Sequence, residues 1–238
     1  MARQRDDAKQ SSCYCLDGTK YSLVPILRDE SALKVAASLF RAHADGIKAL
    51  GVDINEFQSF ELELATLPGK YSPDQHGALW LAYSSENEAP AACVALRCHE
   101  WPKAAEIKRL YVAPEQRRRG LGRLLSLHAM QHAALLGYQT VLLDSLERQA
   151  PAVQLYESLG FHRTTQYIAN PEADAVFMNY TFCTTSMQVV EDSLGCLRLC
   201  ALSPVSRARQ RLTRASAVAA VLCVAATAVK SWLQSSSL

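Results

Sequence analysis

Hydrophobic positions along this chain change period several times, and the changes outline its elements. Tyr21–Arg28 reads as a first strand, stopped by the polar run Asp29-Glu30-Ser31. From Ser31, residues Leu33, Val35, Ala36, Leu39, Phe40, Ala44, Ile47 and Leu50 recur at helical spacing until Gly51 ends the pattern. Phe57, Phe60, Leu64 and Leu67 outline a second helix, ended by Pro68-Gly69, and they suit core packing better than ligand contact. Ala78–Tyr83, Ala91–Cys98 and Ala105–Val112 have the composition of strands. A glycine-containing turn then leads into an amphipathic helix, Leu121–Leu136, closed by Gly137. Thr140–Asp144 is a short buried-type strand. Pro151 opens another helix, with Val153, Tyr156 and Leu159 on one face and Gly160 as its cap. Strands at 163–168 and 175–182 complete the order β-α-α-β-β-β-α-β-α-β-β. That order predicts an α/β fold, a mixed central sheet flanked by helices.

The ends of the chain read differently. Residues 1–20 are polar, Ser-rich and aperiodic, and are expected to be a disordered leader. Ala215–Val229 carries no charge between Arg214 and Lys230, and snorkelling of Lys230 extends the apolar stretch to Leu233. Over 215–233 a helix would span about 28 Å, close to a bilayer core. With the basic linker 184–214 as its flank, this C-terminal apolar helix is expected as a transmembrane tail anchor, leaving the body facing the cytoplasm. Its alanine-rich composition equally suits a helix packed on the body or on a partner.

Composition narrows the functional classes. The 238 residues are 49% hydrophobic and 20% charged, with a formal net charge of +2, which excludes a mostly disordered chain. Five basic and no acidic residues follow Ala201, so the body is slightly acidic and a nucleic-acid partner is not expected. None of the eight cysteines forms a C-x-x-C pair, and no apolar run opens the N-terminus. Free thiols in a reducing compartment and no metal site are therefore expected. His128 and His132 lack the Glu of an H-E-x-x-H zinc motif and are expected to be exposed helix histidines.

The segment Tyr111-Val-Ala-Pro-Glu-Gln-Arg-Arg-Arg-Gly-Leu-Gly-Arg follows a strand and opens a helix. A helix N-terminus leaves amides unpaired and carries partial positive charge, Gly120 and Gly122 allow close backbone approach, and Arg117, Arg118 and Arg119 add charge. The logic is that of a pyrophosphate site. A surface turn with solvated arginines is the alternative. Leu125 stands where a dinucleotide fingerprint needs its third glycine, and the Gly-Lys-Ser/Thr of a Walker loop is absent.

Arg117-x-x-Gly120-x-Gly122, its Val112-Ala-Pro114 lead-in and Leu155-Tyr156-x-x-x-Gly160-Phe161 resemble signatures of the GNAT N-acetyltransferase superfamily, over roughly residues 21–182. The resemblance implies acetyl transfer from acetyl-CoA to an amine of a small molecule or protein. It also leaves open a catalytically weak acyl-CoA-binding domain tethered to a membrane. By position, Glu106 resembles the general base of histone-type members, and is otherwise a solvated carboxylate or a partner for Lys108 or Arg109. Tyr156 resembles the general acid near the CoA sulfur, and is otherwise a core aromatic. The resemblance further implies main-chain contacts to acetyl-CoA from Leu110, Val112 and the run Arg117, Arg118, Arg119, Gly120, Leu121 and Gly122. Gln149 stands where many members carry an Asn that contacts CoA, and it can donate and accept in a similar way.

Overall fold

The computed structural model describes residues 12–182, 187–191 and 197–201. An eight-stranded sheet is built from β1 (Ser12–Leu16), β2 (Thr19–Pro25), β3 (Ala78–Ser84), β4 (Pro90–Glu100), β5 (Ala104–Val112), β6 (Thr140–Leu146), β7 (His162–Arg163) and β8 (Ala175–Thr181). The spatial order is β1-β2-β3-β4-β5-β6-β8-β7. Helices α1 (Glu30–Lys48), α2 (Asn55–Gln58) and α3 (Phe60–Ala65) are joined later in the chain by α4 (Leu121–Leu136) and α5 (Ala150–Ser158).

Strand alternation divides the core between the two sheet faces. Trp80, Ala82, Val94, Leu96 and Ile107 pack with Leu121, Leu124 and Leu125 of α4. Leu79, Leu81, Cys93 and Ala95 pack with Ala36 and Phe40 of α1. Asp29 starts α1, accepting hydrogen bonds from the amides of Ser31 (2.9 Å) and Ala32 (3.3 Å), a cap worth about 1 kcal/mol.

Every strand pair of the sheet is antiparallel except β5 with β6, because α4 must cross over between them. That parallel joint is short, with only Ala104–Glu106 facing Thr140–Leu142. Beyond it β5 carries a bulge. Its register against β4 slips between Cys93 and Ala95, and Arg109 takes a left-handed conformation (φ 56°). The two strands part there, opening a cleft of about 600 Å³ between Lys108–Val112 and Asp144–Leu146.

The bulge turns the Arg109 side chain toward α3, where it is 4% exposed. Its guanidinium donates to both Glu63 oxygens, at 2.7 and 3.0 Å. Lys70 (2.5 Å) and the Tyr71 hydroxyl (2.9 Å) also donate to Glu63. Burial opposes charge on Glu63, but the Arg109 hydrogen bonds and charge, with Lys70, hold its pKa down at about 2.

Several expectations change. Ser12–Leu16 of the expected leader is a paired edge strand. The helix expected over Phe57–Leu67 is two short helices parted at Ser59, which is left-handed (φ 49°). The strand expected at 163–168 shrinks to His162–Arg163. His128 and His132 are not exposed: burial lowers both pKa values, that of His128 to about 4. Each ring meets Trp80 edge-on, at 5.0 Å. The span expected as basic linker contains a hairpin of β9 (Met187–Glu191) and β10 (Leu197–Ala201) lying along α4. Membrane attachment is corrected outright. No helix of the described residues is long and apolar enough to cross a membrane. The stretch 215–233 lies outside the described residues, as do residues 1–11. The tail anchor and the cytoplasm-facing placement drawn from it are withdrawn. Cys13, Cys15, Cys93 and Cys98 are free thiols.

Removing the Glu63 charge strands Arg109 in the interior. Glu63→Gln should lower unfolding free energy by about 3 kcal/mol, read from urea denaturation. Because the Glu63 pKa lies below its ordinary 4.5, its contribution is complete above that value. It should fade as pH falls toward about 2, and Glu63→Gln should flatten that acid limb.

Candidate active site

The cleft is a fork with a cationic mouth. Arg117 and Arg118 line the mouth, while Gly120, Leu121 and Gly122 follow just outside the lining; Gly120 precedes α4 in a left-handed conformation (φ 83°) that favours glycine, and no side chain caps the helix. The first-turn amides of this 16-residue helix are therefore available to an anion from outside. A methyl group on Gly122 would sit 3.5 Å from Leu155 and 3.8 Å from Val112, in ordinary contact. The fold itself thus tolerates a side chain there, and the bare backbone keeps a surface beside Val112 open. Arg117 donates to the Val112 carbonyl (3.0 Å) and sits over the Tyr111 ring. Arg118 is exposed, and both arginines line the cleft. Arg119 is directed elsewhere: it donates to the Thr19 hydroxyl at 3.0 Å and pairs with Glu86 at 3.4 Å. The Leu121 side chain belongs to the core, so only its main chain could meet a ligand.

Leu110, Val112, Gln149 and Tyr156 line the same cleft. Gln149 precedes α5 and its side-chain oxygen accepts from Ser145 at 3.4 Å. Tyr156 is buried with its ring edge toward Phe161, 5.8 Å away. Burial, and then the negative charge of Asp144, push its phenol well above the usual tyrosine range. Tyr156 therefore keeps its proton across the neutral range. It is both a core aromatic and a cleft residue, so the two sequence readings are not exclusive.

Glu106 stands apart from the residues that line the cleft. It is fully buried on the α1 face of the sheet. Arg97 donates to it at 2.5 Å and the Tyr167 hydroxyl at 3.1 Å. Its link to the cleft is Lys108, whose ammonium lies 3.5 Å from Glu106 and 2.7 Å from Asp144. Asp144, at the end of the apolar run Thr140-Val-Leu-Leu, is the carboxylate that lines the cleft, and Asn170 donates to it at 3.2 Å. Burial opposes its charge, but Lys108 and then Asn170 hold its pKa below the ordinary value. The charged end of that strand was the available sequence signal for Asp144.

His43 of α1 also lines the cleft. Its Nδ1 is buried without a partner among the described residues. Burial, followed by the charges of Arg109 and Lys108, lowers its pKa to about 3, so the imidazole is neutral at pH 7. Helical spacing puts it beside Phe40 and Ile47, where the sequence alone marks only an apolar face. Among the described residues no group of three or more His, Cys, Asp or Glu is placed to hold a metal.

Comparison with known proteins agrees with this geometry. Residues 52–161 match the model of the acetyltransferase (GNAT) family. An uncharacterised N-acetyltransferase of Schizosaccharomyces pombe is 39% identical over 132 residues, which are 56% of this chain and 79% of that protein. Another, of Dictyostelium discoideum, is 25% identical over 189 residues, covering 55% of this chain and 86% of the relative. An acetyltransferase structure from Streptococcus agalactiae shares the fold, with a TM-score of 0.55 and 20% identity, over 68% of this chain and 98% of that one. These similarities lend nothing to a catalytically weak, tethered binding domain.

Gly122→Ala should separate folding from binding. Thermal unfolding should stay within about a degree of the parent, since the added methyl meets only ordinary contacts. Affinity for CoA, measured by calorimetry, should fall about tenfold, the equivalent of about 1.4 kcal/mol.

Proposed function

Because the chain belongs to the GNAT acetyltransferase family and is an acetyl-CoA-dependent acetyltransferase, we propose how its residues share the work of moving the acetyl group to an amine of a small molecule or protein. The observation that carries this reading is the fork between β5 and β6, lined by Arg117 and Arg118 of the turn that leads into uncapped α4 and by a protonated tyrosine. When bound, acetyl-CoA supplies an acetyl group activated as a thioester.

The α4 amides at Gly120–Gly122, with Arg117 and Arg118, hold the diphosphate at the mouth. The main chain at Val112 aligns the pantetheine arm. The Leu110 amide, just past the bulge, stabilises negative charge on the thioester oxygen. Gln149 adds a polar contact from the facing wall. The Arg119 side chain ties the loop to Thr19, which leaves its main chain for the diphosphate.

Attack of the amine nitrogen forms a C–N bond and breaks the C–S bond. Two protons must be managed. Tyr156 gives one to the departing sulfur, and its raised pKa keeps that proton in place beforehand. The acceptor nitrogen sheds two in all: the proton lost as the amide forms replaces the one that Tyr156 gave, and the ammonium's extra proton must leave before attack. Asp144 at the cleft wall, backed through Lys108 by Glu106, draws it away, so Glu106 acts at one remove. The bonds from Arg97 and Tyr167 and the contact with Lys108 hold the Glu106 carboxyl in place.

Tyr156→Phe should lower kcat about 100-fold, the usual scale for losing a proton donor, with KM for acetyl-CoA changed by less than about threefold. In the parent protein, kcat/KM should show no alkaline fall from Tyr156 below the ordinary tyrosine pKa of 10.0. Asp144→Asn should cost more in kcat than Glu106→Gln, because only Asp144 meets the cleft. The reverse order, in steady-state assays of CoA release, would overturn the division of labour between the two carboxylates.

A further inference from the structure

The acceptor side of the cleft has an unusual balance of charge. The wall supplied by α1 and the chain after it includes His43, Ile47, Leu50, Phe57 and Gln58, apolar but for His43 and the neutral amide of Gln58, and none of its residues is acidic. The cleft as a whole is lined by Lys108, Arg109, Arg117, Arg118 and Arg148 against the single carboxylate of Asp144. That carboxylate already receives Lys108 and Asn170. Glu63, which neutralises Arg109, and Asp174 and Glu172, which neutralise Arg148, lie outside the lining.

This field acts on a group within the wall. His43 is held neutral by burial and by the charges of Arg109 and Lys108. An ammonium brought to the same place meets the same cations, which favour its uncharged, nucleophilic form. A second ammonium on the acceptor would gain nothing from this effect. It would lie against Ile47, Leu50 or Phe57 without a counter-charge, and its desolvation would go uncompensated.

We propose that the acceptor is a monoamine carried on an apolar, uncharged body, which lies along the wall of Ile47, Leu50 and Phe57, and that polyamines are poor acceptors. The proposal rests on the acetyltransferase reading of the cleft. Complementarity selects the occupant: apolar wall for apolar body, and no free counter-charge in the lining for a second ammonium.

The test is a matched pair, hexylamine and 1,6-diaminohexane, which differ only in a second amine at the far end. With the full chain and saturating acetyl-CoA, kcat/KM for hexylamine should exceed that for the diamine by about tenfold or more, the scale of an unpaired like charge in a partly buried site. The diamine does this despite offering two reactive ends. Leu50 is 38% exposed, so Leu50→Asp should leave folding intact while supplying the missing counter-charge. It should narrow the preference about fivefold, as one exposed ion pair would. Equal or better use of the diamine, or a ratio unmoved by Leu50→Asp, overturns the proposal. If neither amine is acetylated while CoA still raises the melting temperature, the acceptor proposal fails and the donor site stands. If CoA gives no shift, the reading of the cleft fails as well.

Discussion

Glu63 and Arg109 meet as a two-pronged ion pair in the interior, and the shape of the cleft follows from where that pair draws β5. A strand that kept its alternation would send residue 109 to the α4 face and continue beside β6. Instead Arg109 sits in a left-handed conformation, which for a non-glycine residue costs about 1 kcal/mol or more. The four hydrogen bonds that Glu63 accepts from Arg109, Lys70 and Tyr71 offset that strain. They also make the pair costly to break, since either partner alone would be a buried charge. Because α3 carries Glu63, the helices after β2 and the bulged strand β5 are fastened at one point. The cleft thus takes its shape from an ion pair of which one member, Arg109, also lines it.

A second consequence of the bulge is electrostatic. Lys108 and Arg109 are neighbours in sequence, yet both side chains lie on the α1 face, with Glu106, Arg97 and Asp144 around them. The cluster is closed from the side by Tyr167 and Asn170 of the segment between β7 and β8. Nearly every charge in it has an opposite partner, so the polar interior is stable. Protons then sit where burial and neighbouring charge dictate: on the Tyr156 phenol, and off the His43 imidazole.

The sequence disclosed much of this fold, for physical reasons that also explain what it hid. Elements with an uninterrupted period were legible: the long helices, the three central strands and the turn into α4 all lie close to their expected bounds. The glycine-arginine turn was legible because a strand-to-helix turn with a left-handed glycine is a local pattern. Asp144 and His43 were not singled out, because each enters the cleft through tertiary contacts between elements distant in the chain. Glu106 was placed on the right strand, but its distance from the cleft depends on a bulge three residues further on. The break at Ser59 lies inside a pattern that one continuous helix would also satisfy. β1 was obscured by its shortness and by the polar run before it, against which five residues of an edge strand show no clear period.

That edge strand belongs to the site more closely than its position at the rim suggests. The β1–β2 hairpin places Leu16 4.0 Å from where a side chain on Gly120 would begin, and it supplies the Thr19 hydroxyl that receives Arg119. Tyr21 then donates to the buried Gln116 at 2.7 Å, bracing the turn before the glycines. The arginine loop is thus shored from beneath by residues some hundred positions earlier. A fragment trimmed to begin at Tyr21 would keep every signature motif and lose the scaffold that holds the first of them in shape. The bracing of the arginine loop therefore reaches upstream of Tyr21, to Leu16 and Thr19.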